Sequence, residues 1–129
     1  VYKDYLLAKL HSIGVVDIFI DFLNSYLEPR IGRVTIEGVL PDVFELADMV
    51  FQGTALGPSL WNVFFHDVAT EASCLGGKEQ LFADDLTVSK AYEANITNEE
   101  IADDMMFAQK SVHAWGSRNR VEFDADKEH

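Results

Sequence analysis

Two adjacent carboxylates, Asp84 and Asp85, lie between the apolar runs Gln80-Leu81-Phe82-Ala83 and Leu86-Thr87-Val88. The flanking runs read as two short strands around a tight turn. Neighbouring carboxylates repel one another unless a cation or solvent compensates them, and hard oxygen ligands of this kind suit Mg²⁺ or Mn²⁺. Two such ions can activate an attacking hydroxyl and stabilise the leaving oxygen in phosphoryl transfer. Taken alone, the pair has a simpler reading as a turn, because Asp is favoured there for backbone reasons.

A second segment precedes the pair by about thirty residues: Gln52-Gly53-Thr54-Ala55-Leu56-Gly57-Pro58-Ser59-Leu60-Trp61-Asn62-Val63-Phe64-Phe65. Gly53 and Gly57 allow close backbone approach and unusual dihedrals, and Pro58 suits the first turn of a helix. A glycine-containing loop at a helix N-terminus can lie against a nucleotide or a template strand.

The remaining pattern supplies the elements that must position these residues. Tyr2 to Ser12 fits a helix ending near Gly14. Val16 to Leu27 carries a wide apolar face of Ile18, Phe19, Phe22, Leu23 and Leu27 and stops before Pro29. Arg33 to Glu37 alternates polar and apolar as a half-buried strand does; Val43 to Val50 fits a hairpin partner for it, and its Leu46, Ala47 and Met49 also suit a helix. Leu60, Trp61, Phe64, Phe65 and Val68 form the expected buried side of the helix begun at Pro58. Thr97 and Glu100 match a capping box, and Ile101, Met105, Ala108, Val112 and Trp115 make a core stripe on the helix that follows. Gly116 is expected to close that helix, with Val121-Glu122-Phe123 as a last strand. The order predicts an α+β fold with an antiparallel sheet packed against helices.

Composition bounds the class. The 129 residues predict one domain spanning 1–129. With 48% hydrophobic residues and nine Phe, the chain is no disordered acidic tail. Cys74 is the single cysteine, which excludes an intrachain disulfide and a cysteine-based zinc site. Met49 to His66 is the longest run without Asp, Glu, Lys or Arg, and its polar residues and glycines make it no membrane span. No secretory signal is visible, so an intracellular location is expected. The net charge of −12 is distributed over both halves, and Ala91 to Asp104 holds five acids and no base. Such a surface repels a phosphate backbone. It also reads as an ordinary solvated face.

Together these segments resemble the reverse transcriptase family, most closely the non-LTR retrotransposon type, with group II intron enzymes as relatives. That family carries a loop of the form Q-G-x-x-L-G-P-x-L, a helix, and a hairpin bearing (Phe/Tyr)-Ala-Asp-Asp, matched here by Phe82-Ala83-Asp84-Asp85. Trp115, Asn119 and Lys127 match a later Trp, Asn and Lys, and Tyr26-Leu27-Glu28-Pro29-Arg30 with Arg33-Val34 resembles the segment before the loop. The resemblance covers nearly the whole chain. It implies a polymerase palm, with Asp84 holding the catalytic Mg²⁺ or Mn²⁺ ions and Asp85 supporting it. Gln52 and the Gly53 backbone would contact template and incoming nucleotide, and Phe82 and Ala83 would shape the floor near the primer end. Lys127 would act near the pyrophosphate leaving group, although a surface lysine is also unremarkable. The implied partners are an RNA template, a DNA primer and a nucleoside triphosphate.

Departures accompany the resemblance. Phe51 stands where the family has Pro, and Trp61 where Phe is commoner. The family's further catalytic Asp comes from a strand ending in a segment like A-F-D-x-V, and Val1 matches only its last residue; Asp4, Asp17 and Asp21 are poor substitutes. The expectation is therefore an incomplete palm, without its first catalytic strand, fingers or thumb, and inactive by itself. Its open sheet edge would invite a protein partner. A non-catalytic structural subunit or adaptor derived from such a palm is the alternative. His11, His66 and His113 lack metal-ligand spacing, and Gly76-Gly77-Lys78 lacks the rest of a phosphate-binding loop.

Overall fold

The computed structural model describes residues 1–35, 42–47, 50, 53–73, 76–124 and 127–128. They form two compact units, Val1–Leu60 and Trp61–His129. The fold is mixed α and β, and among the described residues the antiparallel pairing occurs as two two-stranded sheets, one in each unit.

In the first unit, α1 (Lys3–Ser12) and α2 (Asp17–Tyr26) are joined by a turn in which Gly14 takes a φ of 88°. That left-handed value is the conformation glycine adopts without steric cost. The two helices bury Leu6, Leu10, Leu23 and Leu27. Lys3 Nζ lies 2.8 Å from Glu28 Oε1, placing the start of α1 beside the end of α2. The apolar face expected of α2 is buried only at Leu23 and Leu27; Ile18, Phe19 and Phe22 are exposed. Phe19, Phe22 and Tyr26 instead stack in series along the helix surface, with centroids 5.6 and 6.1 Å apart.

Strand β1 (Arg30–Gly32) pairs with β2 (Phe44–Leu46) in the register Arg30↔Leu46, Ile31↔Glu45, Gly32↔Phe44. The partner strand lies within the expected Val43–Val50 segment but covers only Phe44–Leu46, and the first strand lies upstream of the expected Arg33–Glu37. Arg33 to Thr35 are not in a strand, and Ile36 and Glu37 fall outside the described residues. At the end of this ladder the Phe44 ring lies across Gly32, 3.0 Å from where a Cβ would stand.

α3 (Gly57–Phe65) starts at the Gly57-Pro58 junction as the sequence predicts. In the second unit its last turn leads to α4 (Val68–Ala72), then the hairpin of β3 (Lys78–Phe82) and β4 (Asp85–Ser89), then α5 (Asn98–Asn119). The core of this unit is Phe64, Phe65, Val68, Ala72 and Trp115. The rings of Phe64 and Phe65 meet Trp115 edge-on, with centroids 6.1 and 5.5 Å away. Trp115 Nε1 donates to Asp67 Oδ1 at 2.9 Å, satisfying the buried indole at the junction before α4.

The capping box of α5 is present in full. Glu100 N donates to Thr97 Oγ1 at 3.3 Å and Thr97 N donates to Glu100 Oε2 at 2.9 Å. The predicted stripe is buried only toward its C-terminal end, and Met105 is 61% exposed rather than in the core. The five-residue α4 packs on the C-terminal half of α5 and is too short to cover Met105. Gly116 does not close α5, which runs three residues further and is capped by Arg120 in the left-handed region at φ 56°. Gly116 serves close packing: a Cβ there would stand 2.7 Å from Val121 O and 2.8 Å from Phe123 Cε2. Val121 to Phe123 fold back over the helix and form no strand. Among the described residues, no helix is long and apolar enough to cross a membrane.

Candidate functional site

The carboxylate pair sits at the tip of the β3–β4 hairpin. The strands are in register Lys78↔Ser89, Glu79↔Val88, Gln80↔Thr87, Leu81↔Leu86 and Phe82↔Asp85, leaving Ala83 and Asp84 as the two turn residues. A two-residue hairpin needs a positive φ at its first central position to match the twist of the strands. Ala83 supplies it at 55°, a value a side chain disfavours. Strand alternation separates two faces. Leu81 and Leu86, directly opposed, are half-buried on one, whereas Gln80, Thr87, Phe82 and Asp85 share the other and are exposed.

Asp84 and Asp85 are both exposed, and among the described residues no ion pair or hydrogen bond engages either carboxylate. Phe82 is 81% exposed immediately across the strand pair from Asp85. An uncompensated pair of hard oxygen donors beside an exposed aromatic ring is a chemically open site. It fits the donor set of Mg²⁺, which takes one or two carboxylates and fills its remaining positions with water and phosphate oxygens. Among the described residues, no group of three or more His, Cys, Asp or Glu side chains converges on one point.

One contact ties this turn to a helix. Trp61 Nε1 donates to Ala83 O at 2.6 Å, and the Trp61 ring stacks on Phe65 one helical turn away, centroids 5.2 Å apart. Beside it opens a cleft of about 270 Å³ lined by Asn62, Phe65, His66, Leu81 and Ala83. In sequence Trp61 reads as part of the buried side of its helix and as a departure from Phe. Its indole N–H, which Phe lacks, was the signal that a polar partner had to be found.

The other predicted residues fall elsewhere. Lys127 is exposed and its Nζ lies 4.0 Å from Asp124 Oδ2, with no ion pair to Asp84 or Asp85. Gly53 belongs to the first unit, exposed and at φ 77°, with open space where a Cβ would stand. Gln52 and Phe51 lie outside the described residues. Asn119, expected downstream of Trp115, is buried, and its Nδ2 donates to Trp115 O at 3.0 Å within the helix.

No protein-family model matches the chain, and no curated protein and no solved structure matches it either.

Proposed function

We propose that this chain is the palm portion of an RNA-directed DNA polymerase of the non-LTR retrotransposon type, with Asp84 and Asp85 in the metal-holding set. The observation that carries the reading is the Phe82-Ala83-Asp84-Asp85 turn, whose two adjacent carboxylates stand exposed with no ionic partner among the described residues. The Gln52-to-Leu60 segment that opens α3 supports it by content and order.

In this reading Asp84 and Asp85 hold Mg²⁺ or Mn²⁺, which supplies charge stabilisation for transfer of a nucleotidyl group. The chain's own part is geometric. A two-residue turn keeps both carboxylates at the hairpin tip, and Phe82 presents an exposed ring beside them on which a base or ribose can rest. The RNA template, DNA primer and nucleoside triphosphate are the substrates of that reaction. Two carboxylates are one fewer than the resemblance calls for, so the isolated chain is expected to bind the cation weakly and not to extend a primer.

Titration calorimetry with Mg²⁺ or Mn²⁺ at moderate salt tests the reading. Millimolar or tighter binding that disappears in Asp84→Asn supports it, and equal, negligible heats in both proteins overturn it. A longer gene product carrying the further Asp is expected to extend a primer on an RNA template and to lose that activity with Asp84→Ala.

The second reading, a non-catalytic subunit derived from a palm, is favoured by a different observation. Each described sheet has two strands, so every described strand has one edge without a strand partner among the described residues. A protein partner adding a strand there would make the carboxylates dispensable. Complex formation unaffected by Asp84→Asn, together with absent cation binding, distinguishes this reading from the first.

A further inference from the structure

We infer that Trp61 is a positioning residue for the carboxylate turn: its indole N–H holds the Ala83 carbonyl and thereby fixes the left-handed conformation from which Asp84 and Asp85 project. Three observations meet at this point. Ala83 is at φ 55°, one of two residues other than glycine with positive φ among the described residues. The other, Arg120, is a helix C-cap, where that conformation is routine. Ala83 has no such excuse in its type, because two-residue turns of this kind take Gly, Asn or Asp at positive φ. The two-residue loop demands positive φ here while the alanine side chain resists it, so a contact that favours the strained form adds to what holds the turn.

The Trp61 hydrogen bond is the contact placed to do so. At 2.6 Å it is short for an N–H donor, and it ends on the residue immediately before Asp84. The donor is itself fixed, being half-buried on α3 and stacked on Phe65. Rotating the Ala83 peptide out of its present orientation would leave the indole and the carbonyl without each other. A two-stranded hairpin is marginal by itself, so an anchor at its tip has a large share in deciding how sharply the two carboxylates are placed. The part of the inference that concerns cation affinity rests on the proposed metal-holding role; the part that concerns the turn does not.

Trp61→Phe keeps an aromatic ring against Phe65 and removes only the donor. Ala83→Gly removes the steric cost of positive φ and so makes the anchor less necessary. Four proteins are compared: wild type, Trp61→Phe, Ala83→Gly and the double variant. Amide exchange and backbone chemical shifts at Ala83 to Asp85 read the turn, and line broadening of the same resonances by Mn²⁺ reads the cation site.

In the wild type the Trp61 indole proton is expected to be protected from solvent exchange. Trp61→Phe is expected to shift the Ala83 carbonyl resonance, speed exchange at the tip and weaken Mn²⁺ binding about fivefold, the size of one lost hydrogen bond. The double variant is expected to recover the turn signals and most of the affinity. A freely exchanging indole proton in the wild type overturns the inference even if Trp61→Phe fails to fold. Turn resonances unchanged by Trp61→Phe overturn it as well. Absence of Mn²⁺ broadening in every protein defeats the metal-holding reading instead, while the turn signals still decide the role of Trp61.

Discussion

Replacing Gly116 by Ala is expected to destabilise the chain, against the usual gain from removing a glycine inside a helix. Helix propensity alone favours Ala by about 1 kcal/mol. The new methyl, however, would stand 2.7 Å from Val121 O and 2.8 Å from Phe123 Cε2. The phenyl ring can turn aside, but Val121 O is backbone, and Val121 N donates to Gly116 O at 2.8 Å in the same crossing. Relief therefore requires the segment after α5 to lift away, which loosens that hydrogen bond and the Trp115–Phe123 ring contact. Overpacking of this kind costs about 1–3 kcal/mol, so the net effect is a loss of about 1 kcal/mol once propensity is subtracted. Thermal unfolding followed by far-ultraviolet circular dichroism is expected to show a midpoint lower by about 4 °C. Ala114→Gly, at an exposed site on the same helix, is the control for propensity alone and is expected to lose about 1 kcal/mol. A Gly116→Ala protein as stable as the wild type, or more so, would refute the reasoning, because the return segment would then not lie across the helix.

Thr97→Ala removes the acceptor for the Glu100 amide at the start of α5 and is expected to cost about 1 kcal/mol in chemical denaturation; an unchanged midpoint would show that the capping box contributes nothing. The Lys90–Asp104 ion pair, 2.6 Å long, joins the end of the hairpin to α5. The hydrogen bond from Lys90 holds the Asp104 carboxyl below its ordinary value of 3.8, and the same bond raises Lys90 above 10.5. The sign follows from linkage: the Asp104 contribution is full above pH 3.8 and is lost as pH falls through its depressed value, and the Lys90 contribution is full below pH 10.5 and is lost as pH rises through its raised value. Stability measured across pH is therefore expected to lose this component at both extremes, and Asp104→Asn is expected to remove its share of that dependence; a variant with the same pH profile as the wild type would rule the pair out as its source.

The parts of the fold that could be read from the chain are those dictated by local chemistry. The Gly14 turn, the Pro58 helix start, the Thr97–Glu100 box and the β3–β4 hairpin each depend on residues within a few positions of one another. The parts that could not be read depend on what lies opposite. The periodicity of α5 places Met105 in line with Trp115, but burial requires a neighbour, and α4 is too short to provide one. Arg33 to Glu37 alternates as a strand should, yet the described pairing runs over Arg30–Gly32 and ends where the Phe44 ring takes the space a Cβ on Gly32 would need. Gly116 resembles a helix stop in sequence; its role is visible only when the chain returns across it.

The candidate site follows the same division. A tight turn at the carboxylates was legible, but it is one residue earlier than the sequence suggests: Ala83 and Asp84 are the turn residues and Asp85 opens β4, paired with Phe82. What holds the tip was not legible, since Trp61 is twenty-two residues from Ala83 and the contact arises from helix packing. This matters for the chemistry, because the element bearing the carboxylates is among the least self-sufficient in the fold. Its inward face is Leu81 and Leu86, both only half-buried, and its outward face is solvated. Such an element opens locally at lower free energy than the aromatic core around Trp115. A cation bridging Asp84 and Asp85 would be bound by the closed hairpin alone, so its affinity is set jointly by the carboxylates and by the closed population. If Asp84 and Asp85 hold a cation as proposed, the indole of Trp61 and the Lys90–Asp104 pair, which would not touch it, contribute to its affinity through the closed population.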